Sequence, residues 1–162
     1  MHSVIAAGSS IFEGFRTMQE MVPDCSLVNR AVGGTTVAWW APRLFDVLHA
    51  APPDVVLFYG GSNDLNNGAG GADVVEHVLQ CRSAVRRAVP DAAFAYFGII
   101  KAPQKNGKWE IIDQINASIR SGLPSDDLYV ETNEVFFRSG APVFPYFTED
   151  GLHLTDAAYD EL

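Results

Sequence analysis

Five short apolar runs are spaced along the chain: Ser3–Ala7, Ser26–Val32, Asp54–Gly60, Ala92–Ile100 and Asp127–Glu131. They are rich in Val, Ile, Phe and Tyr and almost unbroken in hydrophobicity, which suits strands covered on both faces. Between them a longer period predicts helices over 12–21, 36–49, 73–89 and 108–121, with a last one from about 156. In 73–89, Val74, Val75, Val78, Leu79 and Val85 fall mostly on one face. Glu76, Arg82 and Arg86 fall opposite, and Asp73 is placed to cap the start. Arg82, Arg86 and Arg87 read as a solvated face. Alternation of this kind predicts an α/β domain spanning residues 1–162, a mostly parallel sheet of five strands with helices on both sides.

With 162 residues, 48% of them hydrophobic, the chain can bury one substantial core and is short for two. A net charge of -9 opposes nucleic acid or an anionic membrane as partner. No apolar run approaches the roughly 18–20 residues that span a bilayer. The opening Met1-His2-Ser3 lacks secretory-signal character, so the expected compartment is cytoplasmic, with secretion the alternative for a trimmed chain. Cys25 and Cys81 are too few and too far apart for a disulfide framework and read as buried free thiols. His77 and Cys81 stand four apart on one predicted helix but have no visible third ligand, so no metal is expected. Gly68, Gly70 and Gly71 do not join a strand directly to a helix, so no dinucleotide or other cofactor is expected either. The final helix is short. It must be held by packing or continue in a longer chain.

Candidate chemistry is sought beyond the carboxyl ends of the strands, where parallel sheets bind ligands. Three loops belong there: Gly8-Ser9-Ser10, Gly33-Gly34-Thr35-Thr36 and Gly60-Gly61-Ser62-Asn63-Asp64. Late in the chain TEDGLHL (148–154) carries Asp150 and His153. Three-residue spacing in a turn lets the carboxylate reach the Nδ1 proton, leaving Nε2 as a base. The first loop supplies a hydroxyl from one of its two serines. A Gly34 N–H and an Asn63 amide would serve an oxyanion, with the nucleophile's own N–H as a third donor. Gly33 is read as allowing a tight turn, and Asp64 as a turn residue bonding its own backbone. Trp39 and Trp40 divide into one core residue and one that lines a cleft. KAPQKNGKW (101–109) either shapes the pocket or is an ordinary exposed loop.

Ser10 in GSSI, Gly34 in NRAVGGTT, Asn63 in GSND and His153 in DGLH resemble, in order and approximate spacing, the four blocks of the SGNH/GDSL hydrolases. The resemblance covers essentially the whole chain. It implies a flavodoxin-like α/β/α fold and hydrolysis of carboxylic esters by a Ser10–His153–Asp150 triad. It also implies oxyanion donors at Ser10, Gly34 and Asn63. Short-chain or acetyl esters, carbohydrate esters included, are the expected small-molecule substrates. A lysophospholipase or thioesterase is an alternative on the same triad, and a decayed binding protein an alternative on the same scaffold. Ser9 departs from the family pattern, standing where an aspartate is usual. The register Gly-x-Ser-Ile-x-x-Gly, reaching Gly14, selects Ser10 as nucleophile.

Overall fold

The computed structural model describes all residues, Met1 to Leu162. Strands β1 (His2–Gly8), β2 (Cys25–Asn29), β3 (Val55–Tyr59), β4 (Ala93–Phe97) and β5 (Leu128–Val130) form one sheet. Their order is β2-β1-β3-β4-β5 and every pairing is parallel. This is the flavodoxin-like order, in which the chain runs outward in both directions from β1. The three central strands are buried. Edge strands β2 and β5 bury none of their residues fully.

The two-residue period of a strand divides the core between two faces. Ile5, Ala7, Val56 and Phe58 point to one side. There they meet α3 (Val37–Trp40), α4 (Leu44–Ala50), α6 (Gly71–Ala88) and α7 (Trp109–Gly122). Ala6 and Tyr59 point to the other side, towards α1 (Ser10–Glu13), α2 (Met18–Met21), α8 (Asn133–Phe136) and α9 (Asp156–Tyr159). The result is the three-layer arrangement expected from the pattern. No helix is long and apolar enough to cross a membrane.

Several elements differ from those predicted. The helix expected over 12–21 is two separate turns, because the chain breaks at Gly14. A Cβ there would sit 2.6 Å from the Tyr159 hydroxyl, so the break is where the C-terminal segment packs in. The helix expected over 36–49 divides into α3 and α4 on either side of Pro42, which has no N–H to continue the ladder. Helix α6 begins two residues early with Gly70 as its cap, leaving Asp73 in the first turn with no cap bond. The sequence pattern showed no helix directly after β3, yet α5 (Ser62–Asn66) starts there, turned by Gly61 at φ 110°. Nor did it show the hairpin β6 (Phe137–Arg138) and β7 (Ala141–Pro142). Its two-residue turn, Ser139-Gly140, has positive φ at both positions, the conformation that matches strand twist. The last helix is a single turn, held by packing: Tyr159 donates to Ile11 O at 2.8 Å and stacks on Phe15.

The arginine face of α6 is only partly solvated. Arg82 Nε lies 2.5 Å from Asp127 Oδ2, and the Asp127 side chain is 1% exposed. Arg86 reaches Asp126 at 2.6 Å. These ion pairs fasten α6 to the start of β5. Removing one partner of a buried pair strands the other charge, so Arg82→Ala should lower unfolding stability in urea by about 3 kcal/mol. Arg87→Ala, whose guanidinium only lies over the Phe45 ring, should cost under about 1 kcal/mol.

Candidate active site

The chain can leave β1 as it does only because residue 8 is glycine. Gly8 has φ 129°, and a Cβ on it would stand 1.8 Å from the Tyr59 carbonyl oxygen. Ser9 N–H then donates to that same oxygen at 3.0 Å. This bond draws Ser9 inward, to 2% exposure, and starts α1 at Ser10. Ser10 is half-buried and faces an open cleft of about 550 Å³, lined also by Glu13, Gly14, Arg16, His153, Leu154, Asp156 and Tyr159. Of the two serines, Ser10 is therefore the one that shares a cavity with His153. The family aspartate position, filled by Ser9, lies beneath it.

Asp150 and His153 sit on a tight turn closed by Thr148 N–H to His153 O at 2.8 Å and Gly151 N–H to Thr148 O at 2.9 Å. Gly151 provides the left-handed residue, φ 68°. Asp150 Oδ2 is 2.5 Å from His153 Nδ1. Its Oδ1 accepts from Thr148 Oγ1 and from the backbone N–H groups of Leu152 and His153, at 2.8–3.0 Å. The imidazole contact, followed by these N–H and O–H donors, holds the Asp150 carboxyl well below the usual carboxylate range. What Asp150 contributes to the turn is fully present above about pH 4 and is lost only as pH falls through the lowered value. Anchoring of Nδ1 leaves Nε2 as the ring nitrogen free to take a proton.

Of the expected oxyanion donors Ser10 lines the cleft, whereas Gly34 and Asn63 lie outside its lining. Gly34 has φ 76°, with open space where a Cβ would be. Neither its N–H nor that of Ser10 donates to another protein group. Asn63, in the first turn of α5, gives one amide hydrogen to Thr35 O at 2.9 Å and keeps the other. That bond ties the asparagine to the Gly34 loop. Gly33 lies in a tight turn, as expected: with Gly34 it forms the corner closed by Thr35 N–H donating to Val32 O at 3.4 Å. It is also a point of close approach, where a Cβ would meet Glu13 Oε2 at 2.4 Å. Asp64, by contrast, does not bond its own backbone. It is 3% exposed, and both its oxygens lie 3.0–3.2 Å from Val37 N, so it fastens the start of α3 to α5.

Other candidates resolve as follows. Trp40 is buried and donates to Gly8 O at 3.0 Å. Trp39 is exposed beneath the Arg43 guanidinium and is not part of the cleft lining. Cys81 is buried, which pushes its thiol up, and its Sγ faces Val37 O. No group of three or more His, Cys, Asp or Glu residues is placed to hold a metal with it. The 101–109 loop exposes Gln104, Asn106, Gly107 and Lys108 but is anchored by Lys105, which is fully buried and which nothing in the pattern signalled. A larger groove of about 670 Å³ runs between α6 and α7, and none of the candidate residues line it.

A wholly parallel sheet with the serine, glycine, asparagine and histidine segments gathered at its carboxyl edge defines the architecture of SGNH hydrolases. The chain belongs to the GDSL-like lipase/acylhydrolase family, whose model matches residues 6–161, and is an esterase/acylhydrolase-type enzyme. Its fold is similar to that of the lipase Lip_vut3 from a goat rumen metagenome: TM-score 0.81 at 14% identity, covering 99% of this chain and 93% of that one. A GDSL-like lipase from Bacteroides thetaiotaomicron is similar over 98% of this chain and 82% of its own (TM-score 0.79, 16% identity). A family 3 carbohydrate esterase from Clostridium thermocellum is similar over 99% and 90% (TM-score 0.77, 19% identity). No protein of curated function matches the sequence.

The Asp64 clamp can be tested directly. Asp64→Ala leaves a buried N–H unpaired and should cost about 2 kcal/mol in urea unfolding. Asp73→Ala, at a position that makes no cap bond, should change stability by under about 0.5 kcal/mol.

Proposed function

We propose that the protein hydrolyses carboxylic esters of short acyl groups, acetylated carbohydrates among them, through an acyl-Ser10 intermediate. The observation that carries this reading is the shared cleft of Ser10 and His153, with the far ring nitrogen of His153 already engaged by Asp150. Ser10 Oγ attacks the ester carbonyl as His153 Nε2 takes its proton. The tetrahedral oxyanion receives the N–H groups of Ser10 and Gly34 and the uncommitted Asn63 amide hydrogen. Asp150 keeps the imidazole in its working tautomer and stabilises its cation. Collapse breaks the bond to the alkoxy oxygen, which leaves as the alcohol with the proton from His153. Water then attacks the acyl carbon as His153 takes its proton. Release of the carboxylic acid returns that proton to Ser10.

A small, polar substrate is supported by the cleft lining. Glu13, Arg16 and Asp156 surround the serine and histidine, and the larger apolar side chains among them are only Leu154 and Tyr159. A carbohydrate ester suits such walls better than a long acyl chain, which needs continuous apolar surface. Fold neighbours named as carbohydrate esterases support the same choice.

A fluorophosphonate probe should label the protein at Ser10, mapped by peptide mass. Absence of labelling would favour a binding protein on this scaffold. Ser10→Ala should lower kcat on p-nitrophenyl acetate by roughly 10⁴-fold or more, and Ser9→Ala by less than about tenfold. Equal losses would move the nucleophile to Ser9. Asp150→Asn should cost about 10²- to 10⁴-fold in kcat by disturbing the imidazole tautomer. Across p-nitrophenyl esters from acetyl to dodecanoyl, activity should fall with chain length. The opposite trend would point to a lysophospholipase or thioesterase.

A further inference from the structure

Lys105 is a buried ammonium that the reaction sequence above does not use. Its side chain is fully buried, in the short 3₁₀ turn Pro103–Lys105, and no carboxylate lies within ion-pair distance of it. Its Nζ donates to three oxygens: Ser62 O at 3.2 Å, Asn66 Oδ1 at 2.5 Å and Gln104 Oε1 at 3.0 Å. Ser62 and Asn66 are the first and last residues of α5, and Asn63 lies between them. Gln104 Oε1 also accepts from Asn66 Nδ2, and Lys108 Nζ donates to Leu65 O at 2.8 Å. The same turn touches the other half of the site. Gln104 N–H donates to Gly151 O at 2.9 Å, in the turn between Asp150 and His153, and Pro103 packs against Gly151.

We propose that Lys105 is a positioning residue: with Gln104 it braces the helix carrying Asn63 against the turn carrying Asp150 and His153, and so sets the separation between oxyanion donor and base. This rests on the esterase reading above. A charge buried without a counter-ion is costly, and an apolar chain of the same length would be the cheaper way to fill the space. The lysine is the residue that reaches both ends of α5 from one atom. Burial, and then the Lys108 charge, push the Lys105 ammonium down to about 8. The other charged groups on the elements it braces are turned elsewhere: Asp64 to Val37 N–H, Asp150 to His153. Above that pH the neutral amine has two hydrogens for three acceptors, and one bond of the brace is lost.

The test is Lys105→Met, compared with wild type in thermal unfolding, in amide exchange over Asn63–Asn67, and in kcat and KM on p-nitrophenyl acetate from neutral to alkaline pH. A displaced oxyanion donor should lower kcat by about 10- to 100-fold with KM changed less than about twofold. The melting temperature should shift by less than about 5 °C, since relief of the buried charge offsets the three acceptors left without a donor. Exchange over Asn63–Asn67 should quicken. Wild-type kcat should fall as pH rises through about 8, and the variant should lack that fall. Unchanged kcat, a kcat loss matched by a loss of melting temperature, or unaltered exchange would each overturn the brace. If Lys105→Met does not fold, the Gln104→Ala/Asn66→Ala double variant removes two of the three acceptors. It should bring the alkaline fall to lower pH, and an unmoved fall counts against the proposal. Amide exchange requires no turnover. Failure of the wild type to hydrolyse esters or label at Ser10 would therefore sink the esterase reading while the exchange result still decides the brace.

Discussion

The Gly8 carbonyl oxygen is the point on which the site depends. It accepts from Val32 N–H at 2.9 Å, from the Trp40 indole at 3.0 Å and from Thr35 Oγ1 at 3.2 Å. A single backbone atom at the end of β1 thus holds the loop that carries Gly34. On the other side of the same residue, crowding against Tyr59 O forbids any side chain and throws Ser10 outward. The Ser10 segment and the Gly34 segment are placed by one residue whose backbone conformation only glycine adopts easily. Asn63 then joins through Thr35 O, and Asp64 through Val37 N.

The histidine turn is attached differently. It comes from the far end of the chain and has no strand of its own in the main sheet. Its supports are the Phe147–Leu154 bridge, the Tyr159 hydroxyl on Ile11 O, and the Gln104 contact at Gly151. Tyr159 matters because it joins the segment after His153 to the helix that begins with Ser10. His153 and Ser10 are thus joined through one tyrosine, while α5 is tied to the histidine turn across the 101–109 loop. Precision at a site of this kind is worth orders of magnitude in rate, since small displacements of reacting groups are costly.

Much of this was legible in residue types. Near-continuous apolar runs alternating with helical patterns marked a parallel sheet, because strands covered on both faces have no polar side to show. Glycine-containing loops after the first three runs, and an Asp-x-x-His turn near the end, marked the rim where chemistry belongs. Other features escaped for identifiable reasons. Helix α5 follows a glycine in a left-handed conformation, which local propensity reads as a loop. The hairpin at Ser139-Gly140 escaped because strands of two residues each carry too little pattern to notice. The turn at Gly33 was legible, but its closeness to Glu13 was not, since that is not a local property.

The sequence by itself determined the layer order of the fold, the family and the short set of residues able to carry acyl chemistry, since periodicity and turn chemistry are written within a few neighbouring positions. Only the tertiary structure decided that Ser9 is enclosed beneath Ser10, that Arg82 is paired with a buried aspartate, and that Lys105 is enclosed with no carboxylate beside it. The physical reason is distance along the chain. Whether a polar side chain is solvated, paired or enclosed depends on partners such as Ser62, 43 residues from Lys105, which no local window contains.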